Sequence, residues 1–153
     1  MELVYRPGQA ADLPAVVDLL ARCRAIAMPY LPVLHTRDED LGFFARYLEN
    51  AALTLALAPQ GLVGFMATTP GWIEQLYLDP DWRGRGIGAT FLGRAKANQP
   101  RLQLWCFADN HAAQRFYLRH GFVEERRTAG DNEEQLPDIL YGWTRPDWLR
   151  DRP

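Results

Sequence analysis

The sequence predicts an α/β domain built on a mixed sheet, and three observations carry that prediction. Stretches with helical apolar spacing alternate with short runs that read as strands, and no repeat or low-complexity tract interrupts them. Leu53 to Ala58 and Leu62 to Thr68 are joined only by Pro59-Gln60-Gly61, the mark of a hairpin. The segment DPDWRGRGIGATFL, Asp79 to Leu92, then couples a third strand to a helix through alternating glycines.

Met1 to Pro7 reads as a short strand ended by Pro7-Gly8. Asp12 can cap the helix that follows, and Pro14 suits its first turn, where N–H groups have no intrahelical partner to lose. Val16, Val17, Leu19, Leu20 and Cys23 recur at helical spacing to about Ala25. Two prolines in MPYLPVLHT break that helix. Thr36-Arg37-Asp38-Glu39 forms a capping box and opens a second helix to about Asn50. After Pro70-Gly71, Trp72 to Leu78 is a strand, Ala89 to Asn98 a helix, Arg101 to Phe107 a strand and Asn110 to His120 a helix stopped by Gly121. Phe122 to Arg126 is a further strand. The polar TAGDNEEQLPD forms a loop before the last strand, Ile139 to Thr144, and the tail is loosely held apart from Trp148.

At 153 residues and 48% hydrophobic the chain suits one domain over residues 1–153, with a core that needs neither disulfide nor metal. A net charge of −2 without a long like-charge run argues against a nucleic-acid coat or a membrane-surface role. Cys23 and Cys106 lie far apart without CxxC spacing and the three histidines are scattered, so no metal site is expected. MELVYRPGQA lacks the pattern of a signal peptide, and no apolar run approaches ~18 residues. The expected setting is reduced and cytoplasmic.

A strand, a glycine turn and a helix make an anion site in outline, because backbone N–H groups and the positive end of the helix dipole converge there. Gly84, Gly86 and Gly88 clear the approach, while Arg83 and Arg85 supply charge. The Walker pattern is absent. The dinucleotide fingerprint is formally present as Gly84, Gly86 and Ala89 with Asp109 downstream, but Asp79 to Trp82 separate the strand from the glycines and too little chain follows for a doubly wound domain.

Arg83-x-x-Gly86-x-Gly88 within LYLDPDWRGRGIGATFL resembles the pyrophosphate loop of the GNAT superfamily of acyl-coenzyme A dependent N-acyltransferases. LWCFADNHAAQRFYLRHGF, Leu104 to Phe122, resembles that family's later strand and Asn-x-x-Ala-x-x-Phe-Tyr helix. The resemblance implies a mixed, mostly antiparallel sheet with two splayed parallel strands, flanked by about four helices. It implies acetyl-coenzyme A (CoA) as acyl donor, no metal, and a primary amine of a small molecule or peptide as acceptor by direct attack in a ternary complex. A non-catalytic acyl-CoA-binding module of the same fold is the alternative, and homodimerisation is left open.

By the same resemblance Arg83, Gly84, Arg85, Gly86, Ile87, Gly88 and Ala89 hold the diphosphate. Leu76 and Leu78 offer backbone groups to pantetheine, and an amide near Leu76 or Tyr77 faces the thioester oxygen. Asn110, Ala113, Phe116 and Tyr117 meet the coenzyme from one helix face, with Tyr117 protonating the thiolate. Glu74, an acid inside an apolar strand, is the candidate base, placed by alternation on one face with Trp72, Leu76 and Leu78; a surface or salt-bridged Glu74 is the competing reading. Cys106 suits a small buried residue better than a covalent nucleophile. Tyr30, His35, Trp72 and Trp105, with Met28, Leu31, Pro32, Phe43, Phe44 and Trp143, are expected to wall an apolar or aromatic acceptor cleft rather than an acidic trough.

Overall fold

Seven strands form one sheet in the order β1-β2-β3-β4-β5-β7-β6 in the computed structural model, which describes residues 2–146. The strands are β1 (Val4–Pro7), β2 (Leu53–Ala58), β3 (Gly61–Thr69), β4 (Trp72–Leu78), β5 (Arg101–Phe107), β6 (Val123–Thr128) and β7 (Asp138–Thr144). The helices are α1 (Leu13–Ala27), α2 (Arg37–Leu48), α3 (Ile87–Asn98) and α4 (His111–Arg119). The expectation for Trp148 lies outside the described residues.

Every neighbouring pair is antiparallel except β4–β5. That pair meets only at one end, where Trp72 faces Gln103 and the Gln103 N–H donates to the Gly71 carbonyl at 2.9 Å. Beyond it the strands diverge, so the sheet opens into a wedge toward the C-terminal ends of β4 and β5.

One core lies on each face. Val16, Val17, Leu20 and Cys23 of α1 and Phe44 of α2 pack on Leu53, Leu55, Phe65 and Ala67. On the other face Ile87, Phe91, Leu92 and Ala95 of α3 pack with Tyr117 of α4 on Met66, Ile73, Leu102, Leu104, Ile139 and Tyr141. Burial of these side chains, at about 1.5–3 kcal/mol each, holds both halves of the sheet although the middle ladder is almost missing.

The Thr36 box forms in full: Thr36 Oγ1 accepts from the Glu39 N–H and the Glu39 carboxylate accepts from the Thr36 N–H. Asp12 departs from its expected role. Its carboxylate accepts from the Gln9 N–H and from both terminal nitrogens of Arg6 at 2.8 Å, so it closes the short 3₁₀ turn before α1 instead of capping α1. α1 runs on to Ala27, since nothing stops it before Pro29.

Candidate active site

The glycine turn acquires its shape from backbone conformations that side chains rarely adopt. Gly84 and Gly86 have φ of +74° and +82°, and a Cβ on either would project into open space. Gly86 is the N-cap of α3, so the free N–H groups of that helix face the turn. Gly88 serves differently from expectation: it has no positive φ, and a Cβ there would meet the Phe116 ring at 2.8 Å. Its smallness brings α3 and α4 together. Arg83 lines the cleft, whereas Arg85 stacks over the Trp82 ring at 4.4 Å and is absent from the cleft lining.

The cleft, about 450 Å³, runs from this turn into the wedge. Leu76, Tyr77, Leu78, Gly84, Gly86, Ile87, Ala89, Asn110, Ala113, Phe116 and Tyr117 all line it. Asp79 donates its N–H to the Val63 carbonyl, so by the period of two the odd-numbered residues of β4 pair with β3. Leu76 and Leu78 therefore direct their peptide groups into the gap. Tyr77 does not: its backbone faces Phe65, so of the two candidate amides only that of Leu76 faces the gap. The Leu78 carbonyl already accepts from the Cys23 thiol at 3.1 Å.

Tyr117 is buried at 8% exposure at the cleft wall, and no hydrogen bond engages its hydroxyl among the described residues. Burial, aided by Cys106 and Tyr77, pushes the phenol well above the ordinary tyrosine value, so it keeps its proton. Asn110 caps α4, its Oδ1 accepting from the Ala113 N–H at 3.2 Å, while its Nδ2 donates to Met28 Sδ. Burial raises Cys106 to about 12 and Cys23 to about 11, which leaves both as thiols at neutral pH.

Glu74 is not brought to the cleft. Pairing with β3 passes from Ala67–Gln75 to Thr68–Ile73 and skips Glu74, a bulge that puts Ile73, Leu76 and Leu78 on one face and breaks the expected alternation. Its carboxylate is exposed and accepts from Thr69 Oγ1 at 2.7 Å. Trp72 sits at the closed end of the wedge, and Trp105, 40% exposed, lies under Arg126 at 5.2 Å; neither lines a cavity described here. Tyr30 keeps a buried hydroxyl without a partner among the described residues, and burial raises it to about 12. Phe44 belongs to the core and also lines the second cavity described next, and Trp143 packs under Lys96.

A second cavity, of about 510 Å³, lies between α1, the start of α2, Gln75 of β4 and the loop before β7. His35 and Phe43 line it as expected of the acceptor side, but so do Arg24, Asp38, Glu39, Asp40, Arg46 and Glu133. Leu20, Phe43 and Phe44 give this cavity an apolar side, and the charged residues give it a polar one that the sequence did not lead us to expect. Met28, expected on the acceptor side, lines the first cleft instead, and Cys23, Arg119 and His120 line it without having been expected there. Helical spacing from Asn110 reaches His120; nothing in the spacing of α1 marks its last turn.

Residues 39–124 match the acetyltransferase (GNAT) domain model. The chain belongs to the acetyltransferase (GNAT) family. As a GNAT member it carries an acetyl-CoA-dependent acetyltransferase domain. The peptidyl-lysine N-acetyltransferase YiaC of Escherichia coli is 27% identical over 143 residues, 92% of this chain and 96% of that one. An uncharacterized N-acetyltransferase of Methanocaldococcus jannaschii is 32% identical over 132 residues, 76% of this chain, and the chain spans about half that protein's length, 48%. Apo YjaB from Escherichia coli shares the fold with TM-score 0.78 and 24% identity over 95% of this chain and 99% of that one. The PaiA N-acetyltransferase of Thermoplasma acidophilum, solved in complex with coenzyme A, gives 0.73 and 18% over 94% and 99%. The glycine turn and the open peptide edge fit such a ligand: two left-handed glycines leave the space clear and Arg83 brings positive charge to it. Among the described residues no group of three His, Cys, Asp or Glu is placed to hold a metal ion, and no helix is long and apolar enough to cross a membrane.

Proposed function

We propose that this GNAT domain moves an acetyl group from acetyl-CoA directly to a primary amine of a small molecule or peptide while both substrates are bound. The observation that carries this is the wedge: the peptide groups of Leu76 and Leu78, which no ladder with β5 engages, and the hydroxyl of Tyr117, without a hydrogen bond among the described residues, line one cleft with the glycine turn. The coenzyme supplies a thioester, whose carbonyl oxygen gains charge under attack and whose sulfur departs. The Leu76 N–H is a preorganised donor for that charge. Tyr117 Oη, still protonated, gives its proton to the departing sulfur. Arg83 and the N–H groups at the start of α3 hold the diphosphate.

Cys106 supports direct attack over a covalent route, because a buried thiol raised to about 12 is a poor nucleophile at neutral pH. Glu74, turned outward and bonded to Thr69, reaches an acceptor's proton only through water. Two similar proteins, YiaC and YjaB, are named peptidyl-lysine N-acetyltransferases, which favours a lysine side chain among the candidate acceptors. The test follows free thiol released from acetyl-CoA across amines, amino acids and lysine peptides. Amine-dependent release is expected; tight coenzyme binding without release for any amine would instead make this an acyl-CoA-binding module.

A further inference from the structure

The second cavity contains a guanidinium that no carboxylate pairs among the described residues, although the Tyr77 hydroxyl lies beside it. Arg24 projects from α1, and its Nε is buried with no hydrogen bond among the described residues. None of the ion pairs among those residues involves it. Burial alone would lower its basicity, but Tyr77, Glu134 and Asp40 more than offset that and the guanidinium stays charged. Tyr77 lines the donor cleft, so Arg24 stands where the two cavities approach one another.

The other charges of the cavity divide into two groups. Glu39 and Glu133 are occupied: His35 Nε2 lies 2.6 Å from Glu133, its Nδ1 3.7 Å from Glu39, and Glu39 also accepts from the Thr36 N–H. Asp38, Asp40 and Arg46 form no ion pair among the described residues. Arg24 is half-buried with its Nε out of reach of solvent; an arginine so placed is normally matched by an anion, and its planar fork suits a carboxylate. The neighbouring Asp40 disfavours a plain anion but complements a ligand that also carries an ammonium group.

We propose that this cavity holds the acceptor and that Arg24 grips a carboxylate on it, so that amines bearing a nearby carboxylate are selected over those without one. The inference rests on the acetyl-transfer reading above. The carboxylate belongs either to a free amino acid or to an acidic side chain flanking a lysine, and the two arms of the test separate these sources.

Binding to the coenzyme A-loaded protein is measured by calorimetry for two matched pairs: L-lysine against 1,5-diaminopentane, and a capped Glu-Lys dipeptide amide against the Gln-Lys counterpart. In at least one pair the carboxylate-bearing member is expected to bind about tenfold or more tightly. Arg24→Met should collapse that ratio to near one; Arg24→Gln, which keeps a polar side chain and removes the charge, replaces it if the methionine variant does not fold. Equal binding within both pairs, or a preference that survives both substitutions, overturns the proposal. Because the readout is binding, a preference without thiol release sinks the acetyl-transfer reading and leaves Arg24 standing, whereas thiol release without a preference does the reverse.

Discussion

The two cavities of this molecule are made of different material. The donor cleft has one side built of backbone: left-handed glycines, the start of α3, and peptide groups that the divergence of β4 from β5 leaves outside any ladder. The second cavity carries charged side chains from α1, α2 and the distant loop before β7, with His35 tied to Glu133 across it. Backbone recognition depends on local conformation and so leaves a compact trace in sequence. Side-chain recognition depends on which distant elements meet, and it leaves almost none.

The largest effect should come from the backbone side. Gly86→Val places a β-branched residue at φ +82° and is expected to weaken acetyl-CoA binding by about 100-fold or more in calorimetry. Unchanged affinity in a folded variant would mean that the turn does not hold the coenzyme. Next, Tyr117→Phe should lower turnover by about 10²-fold while coenzyme affinity stays within a factor of two, because the hydroxyl acts on the departing sulfur. Since burial raises this phenol, no alkaline fall in the rate should appear at the ordinary tyrosine value of ~10; a fall there that vanishes in Tyr117→Phe would place the group in solvent.

On the side-chain side the effects shrink. Thr36→Ala removes the capping box at the start of α2 and should cost about 1 kcal/mol in denaturant unfolding, with acceptor KM rising more than the KM for acetyl-CoA. Equal changes in both would show that the two cavities are not separate. Glu74→Gln should alter turnover less than about threefold, as for an exposed polar contact. A loss of two orders of magnitude would return the strand acid to the role of base.

This division explains what could be read in advance. β2, β4 and β5 begin and end where the sequence places them, because proline, glycine and asparagine bracket each apolar run. The cleft lining was legible for the glycine turn and for Asn110, Ala113, Phe116 and Tyr117, which share a helix face. The bulge at Glu74 was not, since a register shift belongs to the pairing of two strands and not to either strand alone. The stacking of Arg85 on Trp82 was not legible either, because only the folded turn brings the two together. Arg24 gave no signal, as an arginine on an amphipathic helix reads as solvent-facing until α2 and the late loop are seen to cover it.

The most direct test of the central claim is an amide-resolved NMR titration with acetyl-CoA. The largest shifts are expected at Leu76, Leu78 and residues 84–88, with little movement on the second cavity's Asp38 and Glu133. Saturable binding that leaves the amides of Leu76, Leu78, Gly84 and Gly86 in place would contradict that claim.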